Sequence, residues 1–220
     1  MVPPLSAENR ENAIMNQDAT PPNTFPIVCI GGSAGSFSAY MDILGEISAE
    51  SQVAVVIVSH RALENSGLLV ALLATATSMK VVEARDGMAL QCGRIFVAPP
   101  HRQLTTDGVV LKVAVRLSKH CGWPTAISGF MFSLASMYTT RAIAIILSGM
   151  GHDGSNALAA IKEAGGRTLA QSNALYPDMP QAAIDTDHVD FVLQANEIGK
   201  YLASLTSASS SRLPPKRLRP

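Results

Sequence analysis

This sequence is poor in charge. Asp, Glu, Lys and Arg make up 15% of its 220 residues, and 17 basic residues balance 17 acidic ones to a formal net charge of zero. Such a chain has no global field for holding nucleic acid or an anionic membrane, so neither partner is expected. Cysteine is also scarce. Cys29, Cys92 and Cys121 are odd in number and lack zinc-type spacing, which argues against a disulfide framework or zinc site and predicts reduced thiols in a cytoplasm. No signal peptide is visible, and no apolar run is long enough to cross a bilayer. No repeat of fixed period is found either.

What is present is an ordinary globular composition, 47% hydrophobic, in a length that suits one domain with a substantial core. The two ends differ from the rest. Residues 1–24 are polar, with "VPPL" and "TPPNT", and are not expected to pack. Residues 206–220, "TSASSSRLPPKRLRP", form a serine-rich linker with a short basic tail, either solvated or a weak docking peptide. The folded domain is expected over 25–205.

Inside that range, short β-branched runs alternate with amphipathic segments. The runs are "PIVCI", "VAVVIV", "KVVEA", "RIFVA", "AIAIIL" and "RTLAQ". Helical spacing is seen near Ser36 to Ile47, Gly67 to Thr77, Ala126 to Tyr138 and Ser155 to Ala164. Continuous apolar strands imply burial on both faces, hence a mainly parallel sheet covered by helices. "RIFVAPPHRQLTTDGVVLKVAV" interrupts the alternation and reads as a strand followed by a hairpin turning at "TTDG". The expected fold is a doubly wound α/β domain with a β-hairpin insertion.

In such a sheet the loops after parallel strands gather at one edge, where ligands bind. Ser33 follows "PIVCIGG", His60 follows "VAVVIVS", and Asp153 follows "AIAIILSGMGH". A serine hydroxyl needs an imidazole to take its proton, and the imidazole needs a carboxylate to fix its tautomer. These three strand ends offer all three groups. Each has a plainer reading as well: Ser33 as a turn or helix cap, His60 as a loop histidine, Asp153 as the N-cap of its own helix. His101 and His152 are rival histidines near strand ends.

The glycines around Ser33 do not fit a dinucleotide fingerprint, and "GGSAGSFSAY" has no P-loop lysine. Gly31 to Gly35 does satisfy G-x-S-x-G, the nucleophile elbow of α/β-hydrolases. That fold places several strands before the elbow and orders its triad Ser, acid, His. Here the serine follows the first strand and the order is Ser33, His60, Asp153, which points to a different hydrolase.

"IVCIGGSAGS", "VVIVSH", "DGMALQCGRIFVAPPHRQL", "AIAIILSGMGHDG" and "QSNALYPDMPQAAI" together resemble the catalytic domain of the chemotaxis protein-glutamate methylesterases, the CheB family. The resemblance runs from about Phe25 to Leu202. It implies that Ser33 is the nucleophile, His60 the base and Asp153 the orienting carboxylate. It also implies hydrolysis of glutamate γ-methyl esters on chemoreceptors, with methanol released, and in many members deamidation of particular glutamines. No metal or organic cofactor is required. The glycine-rich loops allow backbone N–H groups to approach an oxyanion, and Met150 is the candidate donor.

The chain departs from the family pattern in places. Family members usually carry a phosphorylatable receiver domain first, which 24 polar residues are too few to form. A glycine usual after Gly35 is Ser36. "WPTAISGF" puts Trp123 at a usual arginine and Ile127 at a usual aspartate, and Gln103 stands for a usual histidine. Trp123 is therefore a candidate substrate-binding residue. The rival reading is a weak or silent paralogue that acts as a binding module.

Overall fold

The computed structural model describes residues 25–59, 66–108, 110–115 and 126–205. The two terminal segments, together with His60, Cys121 and Trp123, lie outside the described residues.

Seven strands form one parallel sheet: β1 (Ile27–Gly32), β2 (Ala54–Ser59), β3 (Lys80–Glu83), β4 (Arg94–Val97), β7 (Ala142–Ile146), β8 (Arg167–Gln171) and β9 (Phe191–Leu193). Their order across the sheet is β3-β4-β2-β1-β7-β8-β9. The apolar runs are continuous because each strand serves two cores. Along β1, Ile27 and Cys29 join the cluster on one face, and Val28 and Ile30 join the cluster on the other. Each fully buried side chain of this kind contributes about 1.5–3 kcal/mol.

Helices α1 (Ser36–Glu46), α2 (Ser66–Ala74) and α6 (Ala195–Ala203) cover one face. Helices α3 (Ala126–Tyr138), α4 (Leu158–Glu163) and α5 (Asp178–Ile184) cover the other. In α1 the buried positions Ser36, Ala39, Tyr40, Ile43 and Leu44 follow helical spacing and form its inner stripe. Strands β5 (Arg102–Thr106) and β6 (Leu111–Val115) form the expected hairpin, an antiparallel pair apart from the main sheet. It is tied to α3 by Thr106 N–H donating to Ser133 Oγ at 3.1 Å. Among the described residues, no helix is long and apolar enough to cross a membrane.

Several boundaries differ from expectation. α2 stops at Ala74 rather than near Thr77, because Thr75 and Ala76 N–H bond three residues back, to Leu72 and Leu73 carbonyls. The segment expected as one helix from Ser155 starts as a 3-10 turn, Ser155–Ala157. There the Ser155 N–H and hydroxyl both donate to the His152 carbonyl, at 3.2 and 2.7 Å. β9, α5 and α6 were not anticipated.

Candidate active site

β1 and β7 are hydrogen-bonded neighbours, yet they lead to opposite faces, β1 to α1 and β7 to α4. A reversal of this kind opens a crevice at the carboxyl ends of the two strands. Ser33 is the first residue past β1, and residues 147–154 run on from β7.

The Ser33 turn is fastened mainly through its backbone. Ser33 N–H donates to the Ser148 carbonyl at 2.9 Å, and the Ser148 hydroxyl donates to the Ala34 carbonyl at 2.9 Å. Ser148 is fully buried and accepts from Tyr176 N–H, while its own N–H donates to Gln171 Oε1. Ser36, in the place of a glycine, donates its hydroxyl to the Ser33 carbonyl at 2.7 Å. Gly35 turns the chain at φ 71, a left-handed conformation that suits glycine. Gly149 passes so close that an added Cβ would lie 2.9 Å from Ser33 Cβ.

Asp153 is 8% exposed, and the plainer reading of it as the cap of its own helix does not hold. It does not cap its own helix, since Gly154 is the N-cap there. Its carboxylate instead accepts from the first turn of α3: Ile127 N–H at 3.1 Å, Ser128 N–H at 3.0 Å and the Ser128 hydroxyl at 2.9 Å. Those N–H groups have no partner within a helix, so a carboxylate satisfies them. Ile127, where the family pattern has an aspartate, is a fully buried core residue beside Gly31 and Gly154. Gln103 donates to the Ala126 carbonyl at 3.4 Å and so ties β5 to α3.

His60, the expected base, is outside the described residues; it follows Ser59, whose register partner is Gly32. The rival His101 is exposed in the turn before β5, with φ 57, and His152 is exposed beside Asp153. Among the described residues, the N–H groups of Ala34 and Met150 donate no backbone hydrogen bond, and Met150 is exposed. Ala34 was not singled out from the sequence, although it directly follows the serine. Cys29, two residues below the glycines of β1, is no rival nucleophile. Burial, and then the Asp153 charge, push its thiol far above the ordinary range.

A cavity of about 300 Å³ adjoins Ser33 between α1 and α2. The Tyr40 hydroxyl lies buried there beside Ser36 and Ser59, without a well-aligned hydrogen bond among the described residues.

Residues 28–202 match the family described as CheB methylesterase. The chain belongs to the CheB methylesterase family. A protein-glutamate methylesterase/protein-glutamine glutaminase of Anaeromyxobacter dehalogenans is 37% identical over 76% of this chain and 50% of its own length. A relative of the same function name from Moorella thermoacetica is 31% identical over 83% of this chain and 45% of its own. The chain thus spans about half the length of these curated relatives. The crystal structure of the Thermotoga maritima CheB methylesterase catalytic domain superposes with a TM-score of 0.77 at 26% identity, covering 83% of this chain and 99% of that one. The α/β fold with a hairpin insertion that the apolar runs predict is therefore the observed one.

Proposed function

We propose that this chain is a serine hydrolase that removes methyl groups from glutamate γ-methyl esters on chemoreceptor-type proteins. The observation that supports the reading is that the Ser33 turn and the loop that carries Asp153 follow adjacent strands and are joined by Ser33 N–H donating to the Ser148 carbonyl, in a chain of the CheB family. Ser33 Oγ attacks the ester carbonyl while His60 takes its proton, with Asp153 holding the imidazole. The N–H groups of Met150 and Ala34 receive the oxyanion. Collapse of the tetrahedral intermediate breaks the bond to the methoxy group, which leaves as methanol with the proton from His60. Water, deprotonated by the same imidazole, then frees the glutamate and restores Ser33. Deamidation of a glutamine follows the same course with ammonia as the leaving group, and the names of the relatives join the two activities.

The substrate is the cytoplasmic helical part of a receptor, so the setting is the cytoplasm, and residues 25–205 form the catalytic domain. Trp123 remains the candidate contact for that helix. The test is methanol release from a methylated receptor fragment. Wild type should release methanol, and Ser33→Ala should lower turnover on the order of 10⁴-fold or more. Equal release by both proteins would remove Ser33 from the chemistry.

A further inference from the structure

Ser33 and Ala34 together carry four main-chain polar groups, and three of them have described partners. The Ser33 N–H donates to the Ser148 carbonyl at 2.9 Å. The Ser33 carbonyl accepts from the Ser36 hydroxyl at 2.7 Å and from the Ser36 N–H at 3.2 Å. The Ala34 carbonyl accepts from the Ser148 hydroxyl at 2.9 Å. The fourth group, the Ala34 N–H, donates no backbone hydrogen bond among the described residues.

Two serine hydroxyls thus bracket this dipeptide, and both are buried: Ser148 fully, Ser36 at 2% exposure. They act on different peptide planes. A trans peptide unit is planar, so its N–H points opposite to its C=O. Holding the Ser33 carbonyl therefore sets the direction of the Ala34 N–H. The Ser36 hydroxyl does this from the start of α1. The Ser148 hydroxyl holds the next carbonyl and so keeps the adjoining plane from turning. Two donors on the Ser33 carbonyl also polarise its amide, which makes the Ala34 N–H a stronger donor. A serine hydroxyl bonded to a carbonyl in the preceding turn is ordinary by itself. Here that carbonyl belongs to the proposed nucleophile, and its peptide unit carries an N–H proposed to receive the oxyanion.

We infer that Ser36 and Ser148 are positioning residues for the hydrolysis: their hydroxyls aim the Ala34 N–H at the oxyanion formed when Ser33 attacks. Both act through the main chain of the nucleophile turn. The inference rests on the roles of Ser33 and Ala34 proposed above.

The experiment replaces the carbonyl oxygen of the substrate with sulfur, a weak hydrogen-bond acceptor. Values of kcat and KM of the full chain are measured on one receptor-derived peptide bearing a glutamate γ-methyl ester or the matching thionoester. Wild type should favour the oxygen ester by more than alkaline hydrolysis does. Removing an oxyanion donor outright costs about 10²- to 10³-fold, so misaiming it in Ser36→Ala or Ser148→Ala should lower kcat on the oxygen ester about tenfold, with KM little changed. The oxygen-to-sulfur preference should fall by the same factor. Should Ser148→Ala fail to fold, Ser36→Ala decides alone. Ser133→Ala is the control, since it removes a hydroxyl that bonds Thr106 N–H and the Phe130 carbonyl between the hairpin and α3. Its preference should match that of wild type. A folded Ser36→Ala or Ser148→Ala protein that keeps the wild-type preference would show that the hydroxyl only supports the fold, and overturns the inference. A preference that falls equally in Ser133→Ala overturns it too. A wild-type preference no greater than in alkaline hydrolysis, with Ser33 still labelled by a fluorophosphonate, overturns the inference and leaves the nucleophile standing. No hydrolysis of either ester, with Ser33 unlabelled, overturns both readings.

Discussion

Ser33 and Asp153 stand at the ends of adjacent strands, yet they are held there by different means. The Ser33 turn is built from neighbours in the chain and one buried serine across the crevice, almost entirely through main-chain groups. Among the described residues, its side chain carries none of that fastening. Asp153 is the reverse case. Its carboxylate itself holds down the first turn of α3, a helix 25 and 26 residues earlier in the chain. One residue can be lost for chemistry alone; the other is part of the fold.

The largest effects separate the two on these terms. Ser33→Ala should abolish turnover while changing unfolding stability by less than about 0.5 kcal/mol. Asp153→Ala should abolish turnover and also lower stability by about 1–2 kcal/mol, through loss of the helix cap. Asp153→Asn retains an acceptor for α3, so it should keep most of that stability while losing on the order of 10⁴-fold in kcat. Urea unfolding beside the kinetics reads both quantities. Equal stability of the Asp153→Ala and wild-type proteins would erase the contrast.

A smaller effect is expected where the two supports meet. Gly149→Ala would set a Cβ 2.9 Å from Ser33 Cβ and 2.1 Å from Met179 Sδ. Met179 is flexible and can yield, but Ser33 Cβ is fixed to the turn. A displaced nucleophile should cost on the order of 10²-fold in kcat. An unchanged kcat would mean that the loop after β7 does not set the position of Ser33.

The mildest effect is one of pH. Cys29 lies beneath the site, and burial together with the Asp153 charge makes its folded thiol hold a proton far longer than the unfolded chain does. Burial likewise pushes Tyr40 up to about 12. The sign follows: stability is complete below the unfolded thiol value of about 8.5 and declines as pH rises above it, with Tyr40 adding to the decline above about 10. Cys29→Ala should flatten the first part of that decline. A slope equal to that of wild type between about pH 8.5 and 10 would show that Cys29 is not its source.

Much of this was legible in the sequence, for physical reasons. Strands buried on both faces must be continuous apolar runs, so "VAVVIV" and "AIAIIL" announced the sheet centre. That Asp153 accepts from the start of α3 was not legible, because a carboxylate after a strand shows no sign of which helix start it will cap. Ser148 was passed over, since a serine after a strand is ordinary until its four neighbours are seen. β9 has three residues with Val192 exposed between two buried ones, too short for a period. α5 begins just after Pro177 and contains Pro180, and α6 is entered through Gln194, whose N–H donates to Glu197 at 2.9 Å. Glutamine is an uncommon cap, so the start signal was weak. In α2 the run "SGLLVALLA" is apolar all round, so the sequence could not tell that Leu73 is buried while Leu72 faces the cavity.

The central claim is that Ser33 is an activated nucleophile, and a fluorophosphonate probe tests it without any assumption about the natural substrate. Mass spectrometry of the labelled, digested full chain should find a single phosphonylated site, Ser33, with labelling lost in Ser33→Ala and strongly slowed in His60→Ala and Asp153→Asn. A native protein that takes up no label, or labelling that persists unchanged in Ser33→Ala, would contradict the account.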